Sequence, residues 1–417
     1  MGVIHHYSIM RILNLLPLAL LASAAAQQPA ILQPLTTTPG RAPATLHTGA
    51  AFYIPATLKT IRWGYLPAAN SAPILTVPSG SVLTFDTLSH EGLLEDQGRD
   101  PIRFFGGFGV PAAQVLTDAI AITHSTLAHD FASDGPHIVI GPIEVDTAQP
   151  GDLLRIDFLS FTPRVPYGVI SNRHGKGALP GEFPETPASA ADAGAAHPER
   201  FHNNSQFVRL RTRNGKLLCS LPTADGHTVD FAAAPFLGTV GLAPASSGKT
   251  SSIPPAAYGG NLDIRYLTAG TTLYLPVQTP GAKLFVSDPH FAQGNGEVAL
   301  TAVEGSLRAT LRVTVLKFGH PGYPSARPIT TPFAETPDYW IPIGLDPDLN
   351  EAMKKAVRNA VDYLSLNHHL TRAAALAYLS AATDFEVSQV VDHTKGVHAL
   401  IRKRDFPGNS TKNLPKQ

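Results

Sequence analysis

Between Pro235 and Glu304, carboxylates, an imidazole and carboxamides recur among glycines and apolar runs. The densest stretch is Ser287-Asp288-Pro289-His290-Phe291-Ala292-Gln293-Gly294-Asn295-Gly296-Glu297, and upstream Gly259-Gly260-Asn261-Leu262-Asp263-Ile264 supplies a second glycine-hinged carboxylate. Such groups can hold a divalent cation and move protons. A bound divalent metal lowers the pKa of water toward about 7 and polarises a carbonyl that neutral water attacks too weakly by itself. His137, His90, Asp288 and His290 offer nitrogen and oxygen ligands of the right kind, and Glu297 is the candidate general base and proton shuttle. Plainer readings stand beside these. Asp288-Pro289 suits a turn, Gly294 and Gly296 suit a hairpin loop, and Asn261 with Asp263 can cap a turn. His137, which follows Gly135-Pro136 and precedes a strand, reads equally as a satisfied core histidine. The single cysteine, Cys219, is not placed as a nucleophile, and no Gly-x-Ser-x-Gly arrangement occurs.

The elements that must position these groups read as β-strands. Lys283-Leu284-Phe285-Val286 precedes the dense stretch and Val298-Ala299-Leu300-Thr301-Ala302-Val303 follows it, so two strands are expected to present residues 287–297 as a tight loop. Three segments begin a strand after a glycine turn: Pro78 to Phe85, Gln149 to Ile156 and Thr268 to Leu275. From Leu307 to Phe318, Leu311, Val313 and Val315 alternate inward against Arg312 and Thr314 outward. The fold class that follows is α+β and β-dominated, with antiparallel sheets in a sandwich or barrel-like body. Residues 171–204 lack either period and read as a long loop or flap, in which Arg173, His174 and Lys176 either reach over a substrate or belong to a solvated excursion. Asp346-Pro347 is the expected cap and first turn of a helix carrying Met353, Val357, Val361 and Leu364, and a second helix is expected from Thr371. These helices form a small C-terminal buttress, so that residues 27–320 make the β-rich body and 321–417 complete the same fold.

The two glycine-hinged motifs together resemble the acetamidase/formamidase family of small-amide hydrolases, whose members carry a GGN-x-D segment, a strand pair and a DPH-x-x-QG-x-GE loop. Gly141-Pro142-Ile143-Glu144-Val145-Asp146-Thr147-Ala148-Gln149-Pro150-Gly151-Asp152 resembles the family's GP-x-x-V-x-x-A-x-PGD turn and strand, with His137 ahead of it where the family usually places a histidine. Ser388-Gln389-Val390-Val391-Asp392, followed by Gly396-Val397, is similar to its C-terminal signature, and similarity runs from about Ala72 to Phe406. The resemblance implies hydrolysis of short linear amides to acid and ammonia, with Glu297, Asp288 and Asp263 catalytic and Asn261, Gln293 and Gly294 on the substrate. It further implies a divalent metal, zinc by preference, on His137, His290, Asp288 and His90, and a homo-oligomer. Three features depart from the family: Ser89-His90-Glu91 after the first strand motif, Asn295 where many members have Asp, and a Pro/Gly/Ala-rich insertion after the PGD strand. They motivate two alternatives, a small-ligand binding protein without catalysis and a hydrolase of cyclic amides. Retention of Asp288, His290, Gln293 and Glu297 together speaks for catalysis.

Composition narrows the classes further. Of 417 residues, 32 are basic and 32 acidic, and no basic block exceeds Arg402-Lys403-Arg404, so nucleic acid is a poor partner. At the N-terminus Arg11 precedes the apolar run Ile12 to Leu21 and the small residues Ala22 to Ala26, which is the form of a signal peptide spanning residues 1–26, with Met10 an alternative start to Met1. The run is too short and too broken by Pro17 to span a bilayer, which needs about 20 apolar residues. A secreted or periplasmic protein free of the membrane after cleavage is expected. With Cys219 alone, no intrachain disulfide can form, so stability must come from the core, a metal or oligomerisation.

Overall fold

Period-two alternation makes Leu307–Leu316 a strand whose odd-numbered residues from Leu307 to Val313 are buried, and it pairs antiparallel with Leu153–Pro163 along its whole length. In the computed structural model, which describes residues 29–35, 51–188 and 193–406, this pair lies inside a nine-stranded sheet. A second sheet of eleven strands runs from Thr228–Ala232 at one edge through Tyr167–Asn172, Val303–Glu304, Leu284–Ala292 and Phe236–Leu242 to Gly259–Asn261, with Ile138–Val145 branching off Leu284–Ala292. Pairing is antiparallel except between Ala51–Ile54 and Val82–Asp86 and between Leu75–Val77 and Ile138–Val145. The two sheets share one hydrophobic core, to which Leu83, Ile156, Leu311 and Val313 come from the first and Ile140, Val240, Leu284 and Val286 from the second. The fold is thus the β-dominated antiparallel body expected. The apolar leader ending at Ala26 lies outside the described residues.

Leu284–Ala292 is buried at every position, as a central strand covered on both faces must be. This corrects the expected loop. The strand does not stop at Val286 but continues through Asp288, Pro289 and His290, and the connection begins only at Gln293. Of the apolar run after Glu297, only Val303 joins a strand, whereas Val298 is 63 % exposed. Pro289 does not end the strand because it falls between the two partners on its other edge, the register with Ile138–Val145 ending at Val286 and that with Val303–Glu304 starting at His290. Asp288 adopts a φ of 55°, and the ladder with Phe236–Leu242 passes from Leu237↔Pro289 to Thr239↔Ser287.

The C-terminal part contributes four strands to the nine-stranded sheet, Phe333–Glu335, Tyr339–Asp346, Asp384–Gln389 and Lys395–Arg402, besides its two helices. Helix Leu349–Asn367 starts two residues later than expected. Asp346 still belongs to the strand, and the cap is Asp348, whose carboxylate accepts from the backbone N–H of Asn350 and Glu351. Its buried face is built on Ala352, Ala356 and Ala360 with Val361 and Leu364, while Met353 points out. Small residues are required because the helix lies directly on the backbone of Gly344, where a Cβ would meet Ala356 Cα at 2.9 Å. The second helix, Arg372–Ala382, is capped by Thr371 as expected. Among the described residues no helix is long and apolar enough to cross a membrane.

Candidate active site

Burying the strand Leu284–Ala292 buries Asp288 and His290 with it, and five further segments bring ionisable groups to the same place. Val303–Glu304 pairs with the end of the strand so that Glu304 stands across from His290. Glu297 closes the loop after the strand, Asp263 follows Gly259–Asn261, His137 precedes Ile138–Val145, and His90 lies in the turn after Val82–Asp86. His290 Nε2 is 3.1 Å from Asp288 Oδ2, 3.0 Å from Glu304 Oε1 and 3.9 Å from Glu297 Oε1. His137 Nε2 is 3.6 Å from Asp288 Oδ1, and the His90 and His137 rings meet edge to face at 5.7 Å. The cluster can close up because residue 238 is glycine. A Cβ there would lie 2.5 Å from Asp288 Oδ2 and 2.7 Å from His290 Cε1, with Asp263 Oδ1 closer still.

The three carboxylates named from the sequence as catalytic share an uncommon backbone conformation. Asp263, Asp288 and Glu297 have φ of 50°, 55° and 46°. Aspartate tolerates this left-handed region, but for glutamate it is unfavourable by roughly 1 kcal/mol or more, and such strain collects at functional sites. Gly296, at a φ of 100°, turns the chain immediately before Glu297.

Electrostatics in this cluster is dominated by burial. Burial raises the carboxyl of Asp263, to about 7, with the Asp288 charge adding to it. Glu297 and Asp392 are pushed well above the ordinary range by burial and then by Asp263, and Glu304 is raised by burial. For Asp288 the burial effect is overcome by the charges of His290 and His137, which hold it well below the usual range. Burial opposes charge on His290 too, yet Asp288 and Glu304 raise it well above its ordinary value. His137 falls to about 4, chiefly by burial. Burial also works against His90, whose hydrogen bond to Glu91 nevertheless raises it. Five acids held together out of water repel one another, and a divalent cation would relieve that repulsion.

The donor set fits such an ion. Three groups, His90 with His137 and Asp288, Asp263 with His290 and Glu297, and Asp288 with His290 and Glu304, each offer ligand atoms within 4.8 Å of one another. Glu304 Oε2 and His90 Nδ1 are buried with no hydrogen-bond partner, and both Asp263 oxygens lack a donor while facing a second acid, Asp392. Imidazole nitrogens and carboxylate oxygens suit a borderline divalent metal.

The sequence-derived candidates divide by place. His90, His137, Asn261, Asp288 and Glu297 line one cavity of about 230 Å³, and Asp263 and His290 stand in the cluster behind its wall. Asn261 is oriented by a hydrogen bond from the Thr239 hydroxyl. Gln293 does not line this cavity: its Nε2 donates to the carbonyls of Asp263 at 2.7 Å and Ser388 at 3.1 Å, which leaves Oε1 to accept from His290 Nδ1 at 3.1 Å. It therefore fixes the ring so that Nε2 faces the acids. Gly294 is exposed and lies outside the cavity, its carbonyl accepting the Glu297 N–H. Glu304, Asp392 and Gly238 were missed as site residues. Glu304 ends an apolar run beside Gly305, which was a visible signal, and Asp392 stands in a motif already noted. Arg173 is not solvated, and with Lys176 it lines this cavity. It is buried, pairing with Asp96 at 2.6 Å and Glu91 at 3.4 Å, and Glu91 in turn holds His90 at 3.2 Å.

A family model, the Acetamidase/Formamidase family, matches residues 245–402. The chain is 28% identical over 298 residues to a formamidase of Methylophilus methylotrophus, covering 61% of this chain and 73% of that protein. It is 26% identical over 333 residues to an acetamidase of Mycolicibacterium smegmatis, covering 67% and 81%. Among solved structures, an acetamidase from Bacillus halodurans superposes with a TM-score of 0.62 at 22% identity, over 86% of this chain and 100% of that one. An acetamidase from Yersinia enterocolitica gives 0.63 at 21% identity, over 86% and 94%. At these identities the structural likeness establishes the fold.

Proposed function

We propose, from the premise that this chain belongs to the acetamidase/formamidase family, that it hydrolyses small linear amides to a carboxylic acid and ammonia. The observation that carries this reading is the buried acid and imidazole cluster, with Asp288, Glu297 and Glu304 reaching the wall of one small cavity. His90, His137 and Asp288 would hold a divalent metal, zinc for this mixture of nitrogen and oxygen donors, with His290 and Glu304 forming a second set that shares Asp288, and a metal bound there would supply Lewis acidity to the amide carbonyl. Glu297 takes a proton as water forms its bond to the carbonyl carbon. It returns that proton to the nitrogen as the C–N bond breaks. Asn261 faces the cavity and orients the amide group, whereas Gln293 acts through His290 by holding its tautomer. The leader at residues 1–26 directs the protein to the periplasm or outside the cell, where it works as a homo-oligomer.

Ammonia release from short amides, measured with and without a chelator, tests the reading directly. Glu297→Gln keeps the shape and removes the proton transfer, so turnover should fall about 100-fold or more with metal content little changed. Normal turnover in folded Glu297→Gln protein would make this carboxylate structural, and full activity in metal-free protein would remove the metal from the mechanism.

A further inference from the structure

Beyond its ionisable residues, the cavity wall is largely apolar. Leu94, Phe131, Ile253, Leu300, Val390 and Val391 line it, and they come from five separate segments. Leu94 is buried, but the other five keep part of their surface uncovered. Leu300 is held there at a φ of 122°, a backbone conformation that a bulky residue adopts only when its surroundings impose it. Size is the second observation. An apolar cavity of about 150 Å³ is enough to hold benzene. The space here is about 230 Å³, which leaves room for an amide group beside a ring of that size and is far more than a two-carbon amide fills. Charge is the third. Two wall charges are neutralised in place, Arg173 by Asp96 and Glu91 and Asp134 by Lys249, so the apolar residues meet little free charge apart from Lys176 and Lys395.

We infer that the acyl half of the substrate is a bulky apolar group, aryl or alkyl, so that this chain acts on primary amides of bulky apolar acids in preference to acetamide. This rests on the amide-hydrolase reading and narrows it. Leu300, Ile253 and Val391 are the residues that set the preference, since each presents an apolar side chain to the cavity from a loop or turn without belonging to the acid cluster.

The test compares kcat/KM of the zinc-loaded full chain on acetamide, hexanamide, phenylacetamide and the monoamide of adipic acid. Burial of each added methylene should raise kcat/KM about fourfold, the equivalent of ~0.8 kcal/mol of transfer free energy. Phenylacetamide should exceed acetamide by about 100-fold, within the range that apolar pockets achieve. Val391→Trp, a change in a half-exposed turn, should lower the ratio of phenylacetamide to acetamide at least tenfold by filling the space. Acetamide turned over as well as phenylacetamide would overturn the inference, and so would a preference for the adipic monoamide, which would assign the mouth to anion binding by Lys176 and Lys395. Calorimetry separates the two readings. Phenylacetamide that binds but is not hydrolysed sinks the hydrolase and keeps the cavity assignment. Acetamide hydrolysis with no binding of phenylacetamide keeps the hydrolase and sinks the assignment.

Discussion

Replacing Gly238 with alanine adds one methyl group where the acid cluster is tightest. Its Cβ would stand 2.5 Å from Asp288 Oδ2 and 2.7 Å from His290 Cε1, whereas real Cβ atoms essentially never approach another atom within 3.0 Å. Asp288 must therefore retreat by at least 0.5 Å and His290 by 0.3 Å, the differences between 3.0 Å and those two distances, and Asp263 must move further. All three are buried, so none can swing into solvent. Misplacement of a catalytic group by about 1 Å costs on the order of 100-fold in rate, and overpacking of this kind costs about 1–3 kcal/mol of stability. Gly238→Ala should thus lose about 100-fold in amide turnover and bind less metal, although every ionisable residue is still present. Thermal denaturation should report only a modest shift. Gly294→Ala is the matched control: nothing lies within 4 Å of an added Cβ there, so stability and turnover should both be kept. Wild-type turnover and metal content in Gly238→Ala would refute the claim that close approach of Asp263, Asp288 and His290 makes the site.

Other consequences can be checked independently. Arg164 is fully buried, donating to Asp118 at 2.9 and 3.2 Å and to the Thr87 carbonyl at 3.3 Å, so Arg164→Met should destabilise the fold by about 3–5 kcal/mol in urea titration, and an unchanged midpoint would contradict this. Glu91 is buried too, but the Arg173 charge and the His90 hydrogen bond outweigh burial and lower its carboxyl from 4.5 to about 2. Because the folded value lies below the unfolded one, its contribution is fully present above pH 4.5 and is lost as pH falls toward 2, about 3 kcal/mol in all. Acid unfolding of Glu91→Gln should lack that part of the pH dependence, and a profile superimposable on the wild type would show that the Arg173 pairing is not what lowers Glu91. Mass spectrometry of secreted material should find an N-terminus near Gln27, and an intact Met1 or Met10 in soluble cytoplasmic protein would sink the export proposal.

What the chain encodes locally could be read without the fold. Alternation in Leu307–Leu316 and the Thr371 cap depend on neighbours within a few residues; the cap stands as expected, and the alternation holds through Val313, after which Leu316 is buried and Val315, expected inward, is half-buried. The glycine-hinged motifs likewise marked Asp263, Asp288, His290 and Glu297, and burial of their strand and flanking turns places them in one cluster. Reading Asp288-Pro289 as a turn failed because the pairing that keeps Pro289 in a strand is not local: its partner Leu237 lies 52 residues upstream. Tertiary structure alone decided that Glu304 and Asp392 join the acids, that Gln293 faces His290 and not the cavity, and that Arg173 is buried against Glu91 and Asp96. It also decided the direction of every pKa shift in the cluster, since desolvation and opposing charges are sums over groups that the chain brings together from more than a hundred residues apart. Gly238 shows the limit most plainly. In the sequence it is one glycine among 35, and its meaning is the space it leaves for side chains at 263, 288 and 290.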